Sequence, residues 1–117
     1  MSLADELREY AKKTHDSTWS RRSGQKVPST DDVALGNDAV DLDAVVLYAD
    51  LKDSTGLVKG YKDWFASAVY KNYLYAVSRI IRAHDGSITA FDGDRVMGVF
   101  IGGSKNSNSA KVALKIN

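Results

Sequence analysis

Residues 87–101 read Ser-Ile-Thr-Ala-Phe-Asp-Gly-Asp-Arg-Val-Met-Gly-Val-Phe-Ile (SITAFDGDRVMGVFI), and their reading decides the fold. Two β-rich runs, Ser87–Phe91 and Arg95–Ile101, are separated only by Asp92-Gly93-Asp94. So short a link makes an antiparallel hairpin, with Gly93 supplying the unusual backbone angles of the turn. Upstream, His84-Asp85-Gly86 stops a long helical pattern. In it Phe65, Val69, Tyr73, Val77, Ile80 and Ile81 recur at helical spacing, while Lys62, Lys71, Arg79 and Arg82 mark the wet side. Before that helix lies the turn Asp50–Gly56 (DLKDSTG), rich in caps and breakers. The turn follows Ala44–Ala49, a nearly all-apolar run that ends on Asp50 and reads as a buried central strand. Downstream, Gly102–Asn108 reads as a loop and Ser109–Ile116 as a helix with Val112, Leu114 and Ile116 apolar. The order is β, helix, β-hairpin, helix. It predicts an α+β fold of the ferredoxin-like kind: an antiparallel sheet with helices on one face, incomplete at the C-terminus by one or more strands.

The first forty residues have a different texture. Ser2 is placed to cap a helix through about Thr14, with Leu3, Leu7 and Tyr10 on one stripe. The polar stretch His15–Asn37, holding the only proline, Pro28, reads as an arm or linker. Residues 1–40 are therefore expected to form an N-terminal helix and polar arm, set apart from a globular domain over residues 41–117. The 117 residues leave room for one compact domain, with 44% apolar and 26% charged residues, as in ordinary soluble globular chains. Sixteen basic and 15 acidic side chains give a net charge of +1, which provides no broad field for nucleic acid or an anionic membrane surface. There is no cysteine, which excludes disulfides and thiolate metal sites. No apolar run is long enough to span a membrane, and Met1–Tyr10 carries acidic residues where a signal peptide needs a basic start. A cytoplasmic location is expected.

Two acidic residues occupy matched places, Asp50 at the end of the first strand and Asp94 in the hairpin turn. In this topology the first strand and the hairpin are neighbours, so both carboxylates converge at one edge of the sheet. Magnesium takes hard oxygen ligands, commonly one or two carboxylates with phosphate oxygens and water. Asp50 and Asp94 meet that demand, and the Leu51 carbonyl adds a third oxygen. The turn between them offers backbone N–H groups at a helix start, with Lys52, Asp53, Ser54 and Thr55 as the phosphate-binding segment. Aspartates at strand ends and in hairpin turns also serve as simple caps and turn formers, so the pair gains meaning only jointly. Tyr48 lies two residues before Asp50, on the same strand face, where its ring could stack on a nucleobase or pack as core. Arg95 is placed to pair with Asp92 across the hairpin or to reach a phosphate.

Leu47-Tyr48-Ala49-Asp50-Leu51-Lys52-Asp53-Ser54-Thr55 resembles the first metal motif of the class III adenylate and guanylate cyclases. Phe91-Asp92-Gly93-Asp94-Arg95-Val96-Met97-Gly98-Val99-Phe100 resembles their second. The match runs from about Ala44 to Asn117. It implies that Asp50, Leu51 and Asp94 bind two Mg²⁺ or Mn²⁺ ions. It also implies that the 3′-hydroxyl of a nucleoside triphosphate attacks its own α-phosphorus, releasing pyrophosphate. Three positions depart from the family pattern. Asp53 replaces a usual glycine, Asp92 a usual aliphatic residue, and Ala90 stands where adenylate cyclases commonly carry a purine-reading lysine. With Ser104-Lys105-Asn106 and Ala113-Leu114-Lys115-Ile116-Asn117, these departures resemble the pyrimidine cyclases of bacterial Pycsar anti-phage systems. That resemblance implies UTP or CTP as substrate, and cyclic UMP or cyclic CMP as a second messenger sensed by a separate effector protein. The family assembles its site across a head-to-tail homodimer and draws an asparagine and an arginine from a later segment, so this stretch alone is expected to turn over little. A conventional adenylate or guanylate cyclase, and a degenerate cyclase-like nucleotide-binding or dimerisation module, are the competing readings. A diguanylate cyclase is disfavoured because its Gly-Gly-Asp/Glu-Glu-Phe signature is missing, and a receiver domain because of the hairpin.

Overall fold

The computed structural model describes all 117 residues, and the chain divides into two compact units, Met1–Leu42 and Asp43–Asn117. The second unit carries the sheet. Its elements are β3 (Ala44–Asp50), α2 (Ser54–Gly60), α3 (Asp63–Ala83), β4 (Ser87–Asp92), β5 (Arg95–Ile101) and α4 (Lys105–Ile116). The three strands are antiparallel, in the order β3-β5-β4. Side chains on a strand alternate between faces. Ala49 and Val96, Val45 and Phe100 therefore share one face, and they pack against Val77 and Ile81 of α3 and Val112 of α4. Val46 and Tyr48 point the other way and are 50% and 61% exposed, since the helices of this unit pack on the opposite face. This is the expected α+β arrangement with helices on one face.

Several details differ from the sequence reading. Within this chain the run Ala44–Asp50 pairs on one side only, with β5, while β5 pairs on both. The expected long helix is broken into α2 and α3 at Gly60-Tyr61, and Lys62 enters α3 from an extended backbone. Phe65, expected inside, is 40% exposed and packs on Tyr61, ring centroids 5.1 Å apart, while Ala66, Val77, Ser78 and Ile81 are the buried positions of α3. Helix α4 starts at Lys105 rather than Ser109, and its inward stripe is Ser109-Val112-Ile116; Leu114 is 78% exposed, since positions two apart fall on different sides of a helix.

The joint between α3 and β4 explains Asp85-Gly86. Asp85 takes the left-handed backbone (φ 62), its N–H reaches the Arg82 carbonyl, and the Gly86 N–H reaches the Ile81 carbonyl at 3.0 Å. These two bonds are a complete Schellman ending. Gly86 serves a different need: a Cβ there would lie 2.6 Å from Ile81 Cγ2 and 2.7 Å from Phe100 Cε1, two fully buried side chains.

The first unit consists of α1 (Leu3–Asp16), β1 (Ser20–Ser23), a 3₁₀ turn (Thr30–Asp32) and β2 (Asp38–Asp41). Ser2 caps α1 in a capping box with Asp5. The stretch expected as a polar arm contains β1, which pairs in parallel with β2. A four-residue strand reading Ser-Arg-Arg-Ser gives no apolar signal, and charges rather than packing select it. Arg21 holds Asp41 at 2.8 Å and Arg22 holds Asp38 at 2.7 Å, so this arginine pair is engaged rather than simply solvated. The Ala34 N–H and the Arg22 guanidinium together hold the Asp38 carboxyl below its ordinary pKa. No helix of the chain is long and apolar enough to cross a membrane.

Two outcomes follow from these contacts. Gly86→Ala should lower unfolding stability by about 1–3 kcal/mol, the usual cost of overpacking, without changing the fold; an unchanged denaturation midpoint would contradict the close approach. Because the Asp38 pKa is depressed on folding, its contribution is present above the usual carboxylate range and is lost as pH falls through the folded value. The Ala34 amide resonance should therefore titrate with a midpoint below about 3.9, the free aspartate value; a midpoint at or above that value would remove the bond from the account.

Candidate functional site

The register between β3 and β5 builds the site. Ala49 pairs with Val96 on the core side, so Asp50 lies opposite Arg95, and the Leu51 N–H reaches back to the Asp94 carbonyl at 3.3 Å. Asp94 is the second residue of a two-residue turn whose first, Gly93, has φ 60. The left-handed angle at Gly93 is what allows so tight a reversal. Asp50 and Asp94 are thereby brought together at one end of the sheet.

The two carboxyl groups sense each other. The nearby Ser54 hydroxyl is the main cause holding the Asp94 carboxyl below its ordinary pKa, and the Asp50 side chain adds to it. A cation placed between two neighbouring carboxylates would offset their repulsion. Arg95 lies 3.7 Å from Asp50, an exposed pair worth little by itself. It does not form the expected hairpin pair with Asp92. Arg95 also stands over the Tyr48 ring, 5.9 Å from its centroid.

Leu51 receives no backbone hydrogen bond at its carbonyl, so that oxygen remains available beside Asp50. Asp53 behaves otherwise than expected. It adopts a left-handed backbone (φ 55, ψ 44) and caps α2, accepting the Gly56 N–H at 3.3 Å. Its carboxylate thus occupies a first-turn amide that an anion would need, and the segment Lys52–Thr55 is less open to phosphate than its sequence suggests. Ser54 is half-buried near Asp94, while Lys52 and Thr55 are exposed.

One residue at the site carries only a core signal in the sequence. Tyr73 of α3 has a buried hydroxyl with no hydrogen-bond partner. Burial, then Asp50 and Asp94, push its pKa up. It lines a cleft of about 480 Å³ together with Asp50, Leu51 and Lys52. Buried hydroxyls are normally paired, so an orphan facing two acids marks a place where a water or ligand oxygen completes the set. Its helical spacing gives no hint of this, because the i, i+4 pattern of α3 describes a stripe and not which ring ends beside the sheet rim. A second hollow, about 180 Å³, opens on the uncovered sheet face between Tyr48, Ala90, Asp92, Arg95 and Met97.

The oxygen set fits a hard divalent cation in part. No cluster of three or more His, Cys, Asp or Glu side chains is present. Carboxylates and a carbonyl without a backbone partner are oxygen donors of the type that magnesium takes together with phosphates and water.

No family model matches the chain. It is 48% identical over 117 residues to a uridylate cyclase of Xanthomonas perforans, covering 99% of this chain and 51% of that protein. It is 47% identical over 119 residues to a uridylate cyclase of Burkholderia cepacia, covering 100% of this chain and 52% of that protein. The chain thus spans about half the length of the curated relatives it matches. Among solved structures, a bacterial light-regulated adenylyl cyclase superposes with a TM-score of 0.60 at 23% identity, over 64% of this chain and 22% of the other. The adenylyl cyclase CyaB from P. aeruginosa gives 0.59 at 23% identity, over 62% of this chain and 40% of that one. The guanylate cyclase domain of RhGC from Catenaria anguillulae, solved with GTP, gives 0.57 at 16% identity, over 62% of this chain and 42% of that one. Over essentially its whole length the chain is related in sequence to proteins named uridylate cyclases, and over about 60% of it the fold is that of adenylyl and guanylyl cyclases.

Proposed function

We propose that the protein to which this chain belongs is a pyrimidine nucleotide cyclase that converts UTP to 3′,5′-cyclic UMP and pyrophosphate. The observation that carries the chemistry is the meeting of Asp50 and Asp94 at one rim of the sheet, with the Leu51 carbonyl and the Tyr73 hydroxyl beside them. The choice of base is supported by relatives named uridylate cyclases. It is also supported by the hollow beside Tyr48, whose floor at Ala90 has no group to read a purine edge.

Each group has a task in this reading. Asp50, Asp94 and the Leu51 carbonyl would hold two Mg²⁺ or Mn²⁺ ions, which would supply charge neutralisation for the triphosphate and activation of the 3′-hydroxyl. Ser54 fixes the Asp94 carboxylate through its hydroxyl. Lys52, exposed on the cleft wall, meets the phosphates as a point charge, with Thr55 nearby as a hydroxyl donor. Asp53 holds the turn by capping α2 rather than touching phosphate. Tyr48 stacks on the base, steadied by Arg95, and both line the same hollow. The 3′-oxygen forms a bond to the α-phosphorus, the bond from that phosphorus to the pyrophosphate oxygen breaks, and the hydroxyl proton leaves to solvent. Positioning supplies most of the rate gain in such a displacement. The uncovered sheet face, with Val46 and Tyr48 exposed, suits a head-to-tail homodimer that shares its sites between subunits. A role in anti-phage signalling through a separate effector rests on the resemblance to Pycsar cyclases.

Incubating the protein with each of the four ribonucleoside triphosphates and Mn²⁺, then weighing the products, should give cyclic UMP. Cyclic CMP would move the base assignment; cyclic AMP or GMP would refute a pyrimidine enzyme; no cyclic product from any of them would favour a nucleotide-binding module. Asp50→Asn and Asp94→Asn should each reduce turnover by more than about 100-fold, beyond what outer-shell changes around a metal usually cost, with the circular-dichroism spectrum unchanged. Retained activity in either variant would end the metal-ligand assignment.

A further inference from the structure

The unit Met1–Leu42 contains no buried residue and no cysteine. Units of about forty residues without a disulfide, a metal or a partner rarely bury enough apolar surface to stand alone. Yet Leu3, Leu7, Tyr10, Trp19 and Leu35 are 70%, 61%, 73%, 52% and 104% exposed. On α1 the stripe Leu3, Leu7, Tyr10, Thr14 advances in steps of four, three and four, the a/d spacing of a coiled-coil seam.

We propose that this stripe is covered by the same helix of a second copy of the chain, running antiparallel about a two-fold axis near Arg8-Glu9. The flanking charges set the direction. With Leu7 and Thr14 at a and Leu3 and Tyr10 at d, the g positions are Glu6 and Lys13 and the e positions are Ala4 and Ala11. In an antiparallel pair, g faces g and e faces e. Glu6 then meets the partner's Lys13, and by symmetry Lys13 meets the partner's Glu6, while the small alanines face each other and let the helices approach. In a parallel pair g faces the following e, so Glu6 would lie against Ala11 and Lys13 against Thr18, beyond the helix end, and neither charge would meet its opposite. Neither Glu6 nor Lys13 has an ion-pair partner within the chain, whereas the charges on the outer side of α1 pair locally, Arg8 with Asp5 and Lys12 with Asp16. The helix is self-complementary in charge as well as in shape.

A seam of two heptads is short, about 21 Å long, and a specific interface buries on the order of 1,000 Å² or more. The rest of the contact lies beside it. Tyr10 and Thr14 also line a groove of about 650 Å³ with Trp19 and Leu35. Antiparallel alignment sets the partner's Leu3 opposite Thr14, at the mouth of this groove. The same contact recurs at the other end of the pair, as a two-fold interface requires.

The chain's lack of cysteine makes the test direct. Ala4→Cys and Ala11→Cys chains, mixed and oxidised, should give the mixed disulfide well above the yield from either chain alone. Glu6→Lys and Lys13→Glu should each weaken dimerisation roughly three- to tenfold in sedimentation velocity, as exposed ion pairs do when reversed. Mixing the two variants, or combining both changes in one chain, should restore it. A predominance of disulfides joining two Ala4→Cys chains to each other would overturn the antiparallel direction. Absence of any cross-link, as when another segment of the same polypeptide covers the stripe, would overturn the pairing, and so would charge variants that behave like the parent.

Discussion

The pairing of β3 on β5 is the constraint that sets everything else in the second unit. Ala49 and Val96 are both buried against the helices, and that shared burial fixes the register. A slip of one residue would turn Val45, Leu47 and Ala49 to the open face and carry Val46 and Tyr48 into the core. With the register held, Asp50 must stand opposite Arg95, and the turn that begins β5 must deliver Asp94 beside it. The core therefore does the positioning for two residues that are not part of it. Gly86 extends the same logic, since its missing side chain lets β4 come close to Ile81 and Phe100.

Two acids at one rim repel each other, and the surroundings answer that repulsion only partly. Ser54 and the neighbouring Arg95 favour the ionised form of Asp94, and Arg95 reaches Asp50 at 3.7 Å across open solvent. The Tyr73 hydroxyl, buried and unpaired, faces the same place. An arrangement of this kind is under-satisfied by the chain's own groups, which is the condition under which a cation and its phosphate ligands gain most from binding. Asp53 belongs to the scaffold instead: its left-handed backbone and its bond to Gly56 start α2 and so shape the turn that follows Asp50.

The two units are held by different forces. The second has a contiguous apolar core, whereas the first is organised by capping boxes and by Arg–Asp pairs between its two short strands, with its large apolar side chains left outside. Charge pairs at exposed sites contribute little stability each, so the first unit has more to gain from a partner surface than the second.

Local sequence dictates the hairpin, because a link of so few residues around Gly93 allows no other connection, and with it the α+β class. It also dictates that Asp50 and Asp94 meet, since strand neighbours and a tight turn leave their ends little freedom. Tertiary pairing sets β5 between β3 and β4 within this chain, a placement that the apolar run Ala44–Asp50 does not announce by itself. Tertiary contacts likewise turn Arg95 toward Asp50 rather than Asp92, place the Tyr73 hydroxyl at the rim, and set Asp53 to capping. Each of these depends on where a side chain ends relative to an element distant in sequence, and local periodicity carries no such information. The strand Ser20–Ser23 is invisible in the sequence for a related reason: it is selected by ion pairs to Asp38 and Asp41, and a polar run gives no hydrophobic period to read.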